Sequence, residues 1–402
     1  MKISLPQKRC YFTANIGVRW RELMMSQRSK RELLEAVRPR YLKANKAEKT
    51  RMLDDFVATT EYHRKYANRL LKNGPGPKVR KKKGRHKVYQ GEVVQALIQV
   101  WEICGRICSK RLHPFLPEIV AVLERHNELQ LSPETKALLL RMSRSTIDRC
   151  LQPVRFEQRR GLSTTKPGSL LKKAIPVRTY AQWDDARPGF VEMDLVAHCG
   201  ETTAGQYLNT LTVVDISTGW TECLAVYQKT QQAVFEAILQ LRQRLPFPLL
   251  GIDSDNGGEF INDILYRYCQ TEKITFTRSR PYRKNDQAHV EQKNWSVVRH
   301  LIGYDRFETQ AELSILSAIY EDLRLYVNLF QPVLKLIAKE QIDGRTVKRY
   351  DPAATPFRRV LASDDVSFEV KARVTGLYYQ LNPVTLRNTI DDKVAKLWKL
   401  VR

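Results

Sequence analysis

Three acidic residues stand in surroundings that acids normally avoid. Asp194 interrupts the apolar run Phe190-Val191-Glu192-Met193-Asp194-Leu195-Val196. Asp255 follows the apolar stretch from Pro248 to Ile252 and precedes the pair Gly257-Gly258. Glu291 comes next, with 35 residues between it and Asp255. A carboxylate in a hydrophobic strand costs free energy unless it is paired or binds a cation. Three carboxylates gathered without a basic partner repel one another, and divalent cations relieve that repulsion. Hard oxygen donors select Mg²⁺ or Mn²⁺ over zinc. Two such ions, roughly 3.5–4 Å apart, activate an attacking oxygen and stabilise a leaving oxygen at a phosphodiester. Spacing alone leaves the alternative of an accidental triple in which each acid caps a turn or helix. Glu192, Asp253, Asp215 and Glu259 are rival acids. Strand alternation puts Glu192 on the same face as Asp194, whereas Asp215 reads as a turn residue at a strand end.

The elements that must position these acids begin at residue 190, where the apolar period changes. Strands are predicted over 190–198, 207–215 and 220–227, joined by short turns. An amphipathic helix over 230–245 is stopped by Pro246 and Pro248. A strand over 249–253, a helix over 259–270, a strand over 274–277, a loop and the Glu291 helix follow. The order βββαβαβα is that of an α/β sheet with helices packed on its faces.

The sequence Ser254-Asp255-Asn256-Gly257-Gly258-Glu259-Phe260, then Pro281-Tyr282 and Asn285-Asp286-Gln287-Ala288-His289-Val290-Glu291, resembles the catalytic core of retroviral integrases and of related bacterial insertion-sequence transposases. The resemblance covers residues 183–303. It implies a ribonuclease-H-like core with a five-stranded mixed sheet, and an Asp-Asp-35-Glu triad of Asp194, Asp255 and Glu291 that is catalytic and holds two Mg²⁺ or Mn²⁺ ions. Tyr282 and Gln287 fall where the family places residues of a loop touching DNA near the cut. Lys284 and Lys293 are read as phosphate contacts. Ala288 stands where Gly is more usual, which stiffens the loop. The Asn256-Gly257 turn aims the second aspartate.

Charge supplies an independent signal. The chain of 402 residues carries a formal net charge of +25. Residues 1–188 hold 41 Lys and Arg against 17 Asp and Glu, while residues 189–402 hold 27 against 26. The first part is built to meet a polyanion. Residues 1–71 read as a helix-turn-helix region, with helices near 31–37 and 47–57, a break at Ala58-Thr59-Thr60 with Thr60 as N-cap, and a helix over 61–71. Arg64, Lys65, Asn68 and Arg69 lie on its outer faces, types suited to base edges in the major groove. Residues 72–90 form a basic linker whose Arg80, Lys81, Lys82, Lys83 and Arg85 suit phosphates or a minor groove. Residues 91–152 read as a second helix-turn-helix region, with Arg144, Ser145 and Arg149 at its last helix. Residues 153–188 form a basic extended linker, 189–305 the integrase-like core, and 306–402 a mainly helical C-terminal region. That region is expected to hold helices over 309–329 and 333–339, a loop through 355–359, and a final helix opened by Asn382-Pro383. The last helix has an apolar stripe of Leu386, Ile390, Val394, Leu397 and Val401, suited to core or subunit packing.

The seven cysteines include no CxxC pair and the histidines match no zinc spacing, so reduced thiols are expected and a zinc finger is not. No run of about 18 apolar residues occurs, and the N-terminus reads as no signal peptide, so a cytoplasmic protein with no membrane partner is expected; the resemblance implies a bacterial, nucleoid-associated one. The resemblance implies a transposase that binds the terminal inverted repeats of its element, cuts a strand and joins the freed 3′-OH to target DNA. It also implies a homo-oligomer, dimer or tetramer, on double-stranded DNA. Two other readings are a ribonuclease-H-like nuclease that cuts without joining and a catalytically silent DNA-binding regulator.

Overall fold

The structure, a computed structural model, describes residues 25–75, 88–155, 187–279, 287–342 and 345–401. The chain divides into two compact units, Met1–His86 and Lys87–Arg402.

The first unit contains α1 (Gln27–Lys43), α2 (Lys46–Thr60) and α3 (Arg64–Asn73) around a small core of Leu34, Tyr41, Leu53, Phe56, Leu70 and Leu71. Asn45 opens α2 through a capping box: Glu48 N donates to Asn45 Oδ1 at 2.9 Å and Asn45 N donates to Glu48 Oε2 at 3.0 Å. The predicted break at 58–60 falls instead at 61–63. Thr60 ends α2 rather than capping α3, because its hydroxyl donates back to the Phe56 carbonyl at 2.5 Å and its own carbonyl accepts from the buried Lys30 amino group at 2.5 Å. Glu61, at φ 55°, then turns the chain out of the helix.

The second unit opens with α4 (Glu92–Ile103), α5 (Ser109–Arg125), α6 (Pro133–Leu140) and α7 (Arg144–Leu151). Ser132 and Ser143 cap α6 and α7 through their hydroxyls. The sheet comprises β1 (Phe190–Ala197), β2 (Asn209–Asp215), β3 (Thr221–Val226), β4 (Gly251–Ser254) and β5 (Thr275–Arg278), in spatial order β3-β2-β1-β4-β5. The first three strands are antiparallel, and β1, β4 and β5 run parallel. With α8 (Gln231–Arg244) and α9 (Asp263–Thr271) as crossovers, this is the ribonuclease-H-like topology. Then α10 (Ala288–Lys293) widens into a π-helical turn, Asn294–Arg299, and tightens again as α11 (His300–Ile302).

The C-terminal region contains α12 (Gln310–Phe330), a hairpin of β6 (Leu336–Ile342) and β7 (Arg345–Tyr350), α13 (Pro356–Ala362), α14 (Phe368–Gln380) and α15 (Pro383–Leu400). The helix predicted over 333–339 is a strand, since a short apolar run has no period that separates helix from strand and the antiparallel partner decides. The loop predicted through 355–359 begins α13, capped by Thr355 with Pro356 in its first turn. In α15, Leu386, Ile390 and Leu397 are buried in the core, and the helix lies against α12. One hydrophobic core joins α4–α7, the sheet and the C-terminal helices. The segment read as a second DNA-binding region therefore folds with the sheet: Tyr326 Oη donates to the Ile103 carbonyl at 2.5 Å and Gln331 Nε2 to the Cys104 carbonyl at 2.9 Å. Among the described residues no helix is long and apolar enough to cross a membrane.

Candidate active site

Strands β1 and β4 bring two of the three acids side by side. Their parallel register ends with Met193 opposite Ser254, and the next residues on the two strands are Asp194 and Asp255. Asp194 accepts from Leu195 N at 2.8 Å and from Asn294 Nδ2 at 2.7 Å. Asp255 accepts from Gly257 N at 2.9 Å, an Asx turn that aims its carboxylate. Asn256 fastens this turn to β5: its Nδ2 donates to the Ser279 carbonyl and its Oδ1 accepts from Arg278, both at 3.0 Å. A Cβ at Gly257 would lie 2.6 Å from the Glu259 carboxyl, so a larger residue there would displace that side chain.

The third acid arrives on α10, and the strand bearing Asp194 also anchors that helix. Glu192, buried in β1, accepts from His289 N at 2.9 Å, Val290 N at 3.0 Å and His289 Nδ1 at 2.9 Å. Its carboxylate thus satisfies backbone donors that a helix start leaves without intrahelical partners. Glu291 follows one residue later, on an exposed face. Three positions further, Asn294 makes the second bridge, to Asp194. Neither residue was assigned this role from sequence. The only sequence cue was the placement of Glu192 on the Asp194 face.

The electrostatics are those of a site short of cations. Asp194 is pushed up to about 7 by burial and then by the negative charges of Asp255, Glu291 and Glu259. Asp255 is raised by burial, with Glu259 adding to the effect and Lys229 opposing it. Lys229 pairs with Glu259 at 2.6 Å. Among the described residues, no three His, Cys, Asp or Glu side chains converge closely enough to hold a metal ion as they stand. The donor chemistry nevertheless fits a hard divalent cation. All three candidate side chains are carboxylates, burial and then their mutual repulsion hold Asp194 well above the usual carboxylate range, and the buried Asn294 Oδ1 beside it has no hydrogen-bond partner. Asp194, Asp255 and Glu291 are the residues that would hold it.

The rival acids have structural partners. Asp215 accepts from Gly189 N, Thr218 N and Thr218 Oγ1 at 2.6–2.8 Å and closes the β2–β3 turn. Asp253 accepts from Thr277 Oγ1 at 2.6 Å between adjacent strands. Two residues read as DNA contacts are largely buried. Gln287 is only 7% exposed, and its Nε2 donates to the Asp253 carbonyl at 3.3 Å. Lys293 is also 7% exposed, because its position on α10 turns inward beneath the sheet-facing side. Tyr282 and Lys284 lie outside the described residues, as do Arg80, Lys81, Lys82, Lys83 and Arg85. Arg144, Ser145 and Arg149 are exposed on α7. On α3, Arg64, Lys65 and Arg69 are exposed; Arg64 pairs with Asp54, and Arg69 lies over the Tyr66 ring. Asn68 is half-buried, its Oδ1 accepting from Tyr41 Oη at 3.1 Å.

Comparison with known proteins follows the same lines. Residues 184–284 match the family model of the integrase core domain. Over 339 residues the chain is 43% identical to the uncharacterized protein y4rM of Sinorhizobium fredii, a match spanning 83% of this chain and 96% of that protein. Similar solved structures include the catalytic core domain of BIV integrase, 23% identical, covering 36% of this chain and 85% of that one with a TM-score of 0.28. Another is the HTLV-2 integrase catalytic core domain in complex with magnesium, 18% identical, covering 40% of this chain and 93% of that one, also with a TM-score of 0.28.

Proposed function

The chain belongs to the family of the y4rM protein and carries an integrase core domain; on that premise we propose that it is a DNA transposase. It binds the terminal inverted repeats of its element, cuts a strand at the element's end and joins the freed 3′-OH to target DNA, acting as a homo-oligomer on DNA. The observation that carries this reading is the register of β1 and β4, which sets Asp194 and Asp255 side by side while Glu192 and Asn294 fasten the Glu291 helix to β1.

Within this reading the chain's own residues have distinct tasks. Asp194, Asp255 and Glu291 would hold Mg²⁺ or Mn²⁺, two ions per site, which when bound supply an activated attacking oxygen and stabilise the leaving oxygen at a phosphodiester. Glu192 and Asn294 orient the Glu291 helix. The Asp255–Gly257 turn keeps the second carboxylate aimed outward from the sheet. Exposed side chains on α3 and α7 contact DNA at phosphates and base edges.

The test uses supercoiled plasmid, oligonucleotides bearing the element's ends, and Mg²⁺. The wild-type chain should insert the oligonucleotides, and Asp255→Asn or Glu291→Gln should reduce insertion by more than about 100-fold. Retained insertion in either variant refutes the assignment. Supplying pre-cut ends separates a transposase, which joins them, from a nuclease, which does not.

A further inference from the structure

Behind the helix that carries Glu291 lies a small cavity of about 80 Å³, several times the roughly 10–15 Å³ that one water needs by this measure. Its lining brings together four cationic side chains from four parts of the chain: Arg111 of α5, Lys293 of α10, Lys335 ahead of β6 and Arg359 of α13. His289, Gln292, Ser296, Ser217 and Thr218 add polar wall, and no Asp or Glu is among its described lining residues.

Arg111, Lys293 and Arg359 are incompletely compensated among the described residues. Lys293 is more than nine-tenths buried, and its amino group makes no hydrogen bond or ion pair among the described residues. Arg359 pairs with Asp351 at 2.7 Å, yet its buried Nε has no hydrogen-bond partner. Arg111 Nε is satisfied only by a neutral acceptor, the Pro332 carbonyl at 2.5 Å. Lys335 donates to the Ser217 carbonyl at 3.4 Å and lies within electrostatic reach of Asp215. Asp351, which pairs with Arg359, and Asp215, which feels the Lys335 charge, lie outside the lining and are tied up in other bonds as well. Basic groups crowded this closely disfavour one another's charge unless an anion joins them. Two guanidinium groups and two ammonium groups around a space this small match a compact, multiply charged oxyanion.

We propose that this cavity binds a phosphate group, with Lys293, Lys335, Arg111 and Arg359 as its charge partners and the Ser296 hydroxyl as a donor. Lys293 and His289 flank Glu291 on α10, so occupancy braces the catalytic helix from behind. The phosphate comes either from free inorganic phosphate or from a DNA backbone phosphodiester, and the two sources are separable.

Thermal unfolding of the full chain, without divalent ions, is compared in sodium phosphate and in sodium chloride of matched ionic strength. Phosphate should raise Tm of the wild type over chloride. Lys293→Met, which replaces the buried charge with a chain of similar length, should fold and bind phosphate roughly tenfold or more weakly, the loss expected for one charged hydrogen bond. Lys335→Met serves the same purpose should the first variant fold poorly. If phosphate stabilises neither protein but Lys293→Met weakens DNA binding and lowers its salt dependence by about one counterion, the occupant is a DNA phosphate. Equal phosphate stabilisation of wild type and both variants overturns the site. So does the absence of phosphate stabilisation combined with unchanged DNA binding. The phosphate arm is independent of strand transfer, so the transposase reading and this site can fail separately.

Discussion

Asp194 makes the strongest case at the scale of single residues. In the folded chain its carboxyl titrates at about 7 rather than 3.8, because burial and the charges of Asp255, Glu291 and Glu259 disfavour its ionised form. Below pH 3.8 both folded and unfolded chains hold this proton and there is no cost. As pH rises toward 7, only the unfolded chain releases it readily, so stability falls; above 7 the full cost is present. Asp194→Asn should therefore raise the stability of the metal-free protein at pH 8 by about 1–2 kcal/mol after allowance for solvent screening, and by almost nothing at pH 4. The same substitution should abolish strand transfer. Urea unfolding at the two pH values measures the first effect. A variant no more stable than wild type at pH 8 would show that burial and the neighbouring carboxylates do not disfavour the ionised form as the structure implies.

Among the elements, the decisive joint is between β1 and α10. A helix this short gains little from its own hydrogen bonds, so its placement depends on tertiary anchors. Glu192 supplies three acceptor contacts and Asn294 one donor contact. Glu192→Ala should lower strand transfer by roughly 10–100-fold, the usual scale for a residue that orients a ligand. It should also raise the Mg²⁺ concentration needed for half-maximal rate. Glu192→Gln keeps an acceptor for the backbone donors and should recover part of the activity. A uniform loss of folded protein, with an unchanged Mg²⁺ requirement, would reduce Glu192 to a core residue. The same joint shows what the sequence made legible here. Strand alternation placed Glu192 beside Asp194, but left open whether it was a ligand. Only the hydrogen bonds to His289 and Val290 assign it to the helix.

For the whole molecule, charge is divided unequally. If the chain binds DNA as proposed, the excess of +24 in residues 1–188 against +1 in the remainder puts the salt-dependent part of that binding in the first stretch. Replacing Lys65 and Arg69, both exposed on α3, with Ala should weaken DNA binding uniformly across sequences and make the slope of log K against log salt shallower by about one per lost phosphate contact. Loss confined to one end sequence, with the slope unchanged, would instead mark them as base-reading residues. The division of charge does not coincide with the division of the fold, because α4–α7 lie in the basic stretch yet share their core with the sheet.

The sequence by itself determined the three acids, their spacing, the strand order that carries them and the basic character of the first part, because these depend on local period, composition and a motif contiguous in the chain. It also set the capped starts of α6, α7 and α15, where a Ser or Asn side chain meets backbone donors two or three residues on. Tertiary structure decided which side chains face inward. It buried Lys293 and Gln287, put a strand from Leu336 where a helix over 333–339 was expected, and gave Glu192 to a helix 97 residues away. Each of those outcomes depends on a partner distant in the chain, and local periodicity carries no information about which distant surface will cover a given face.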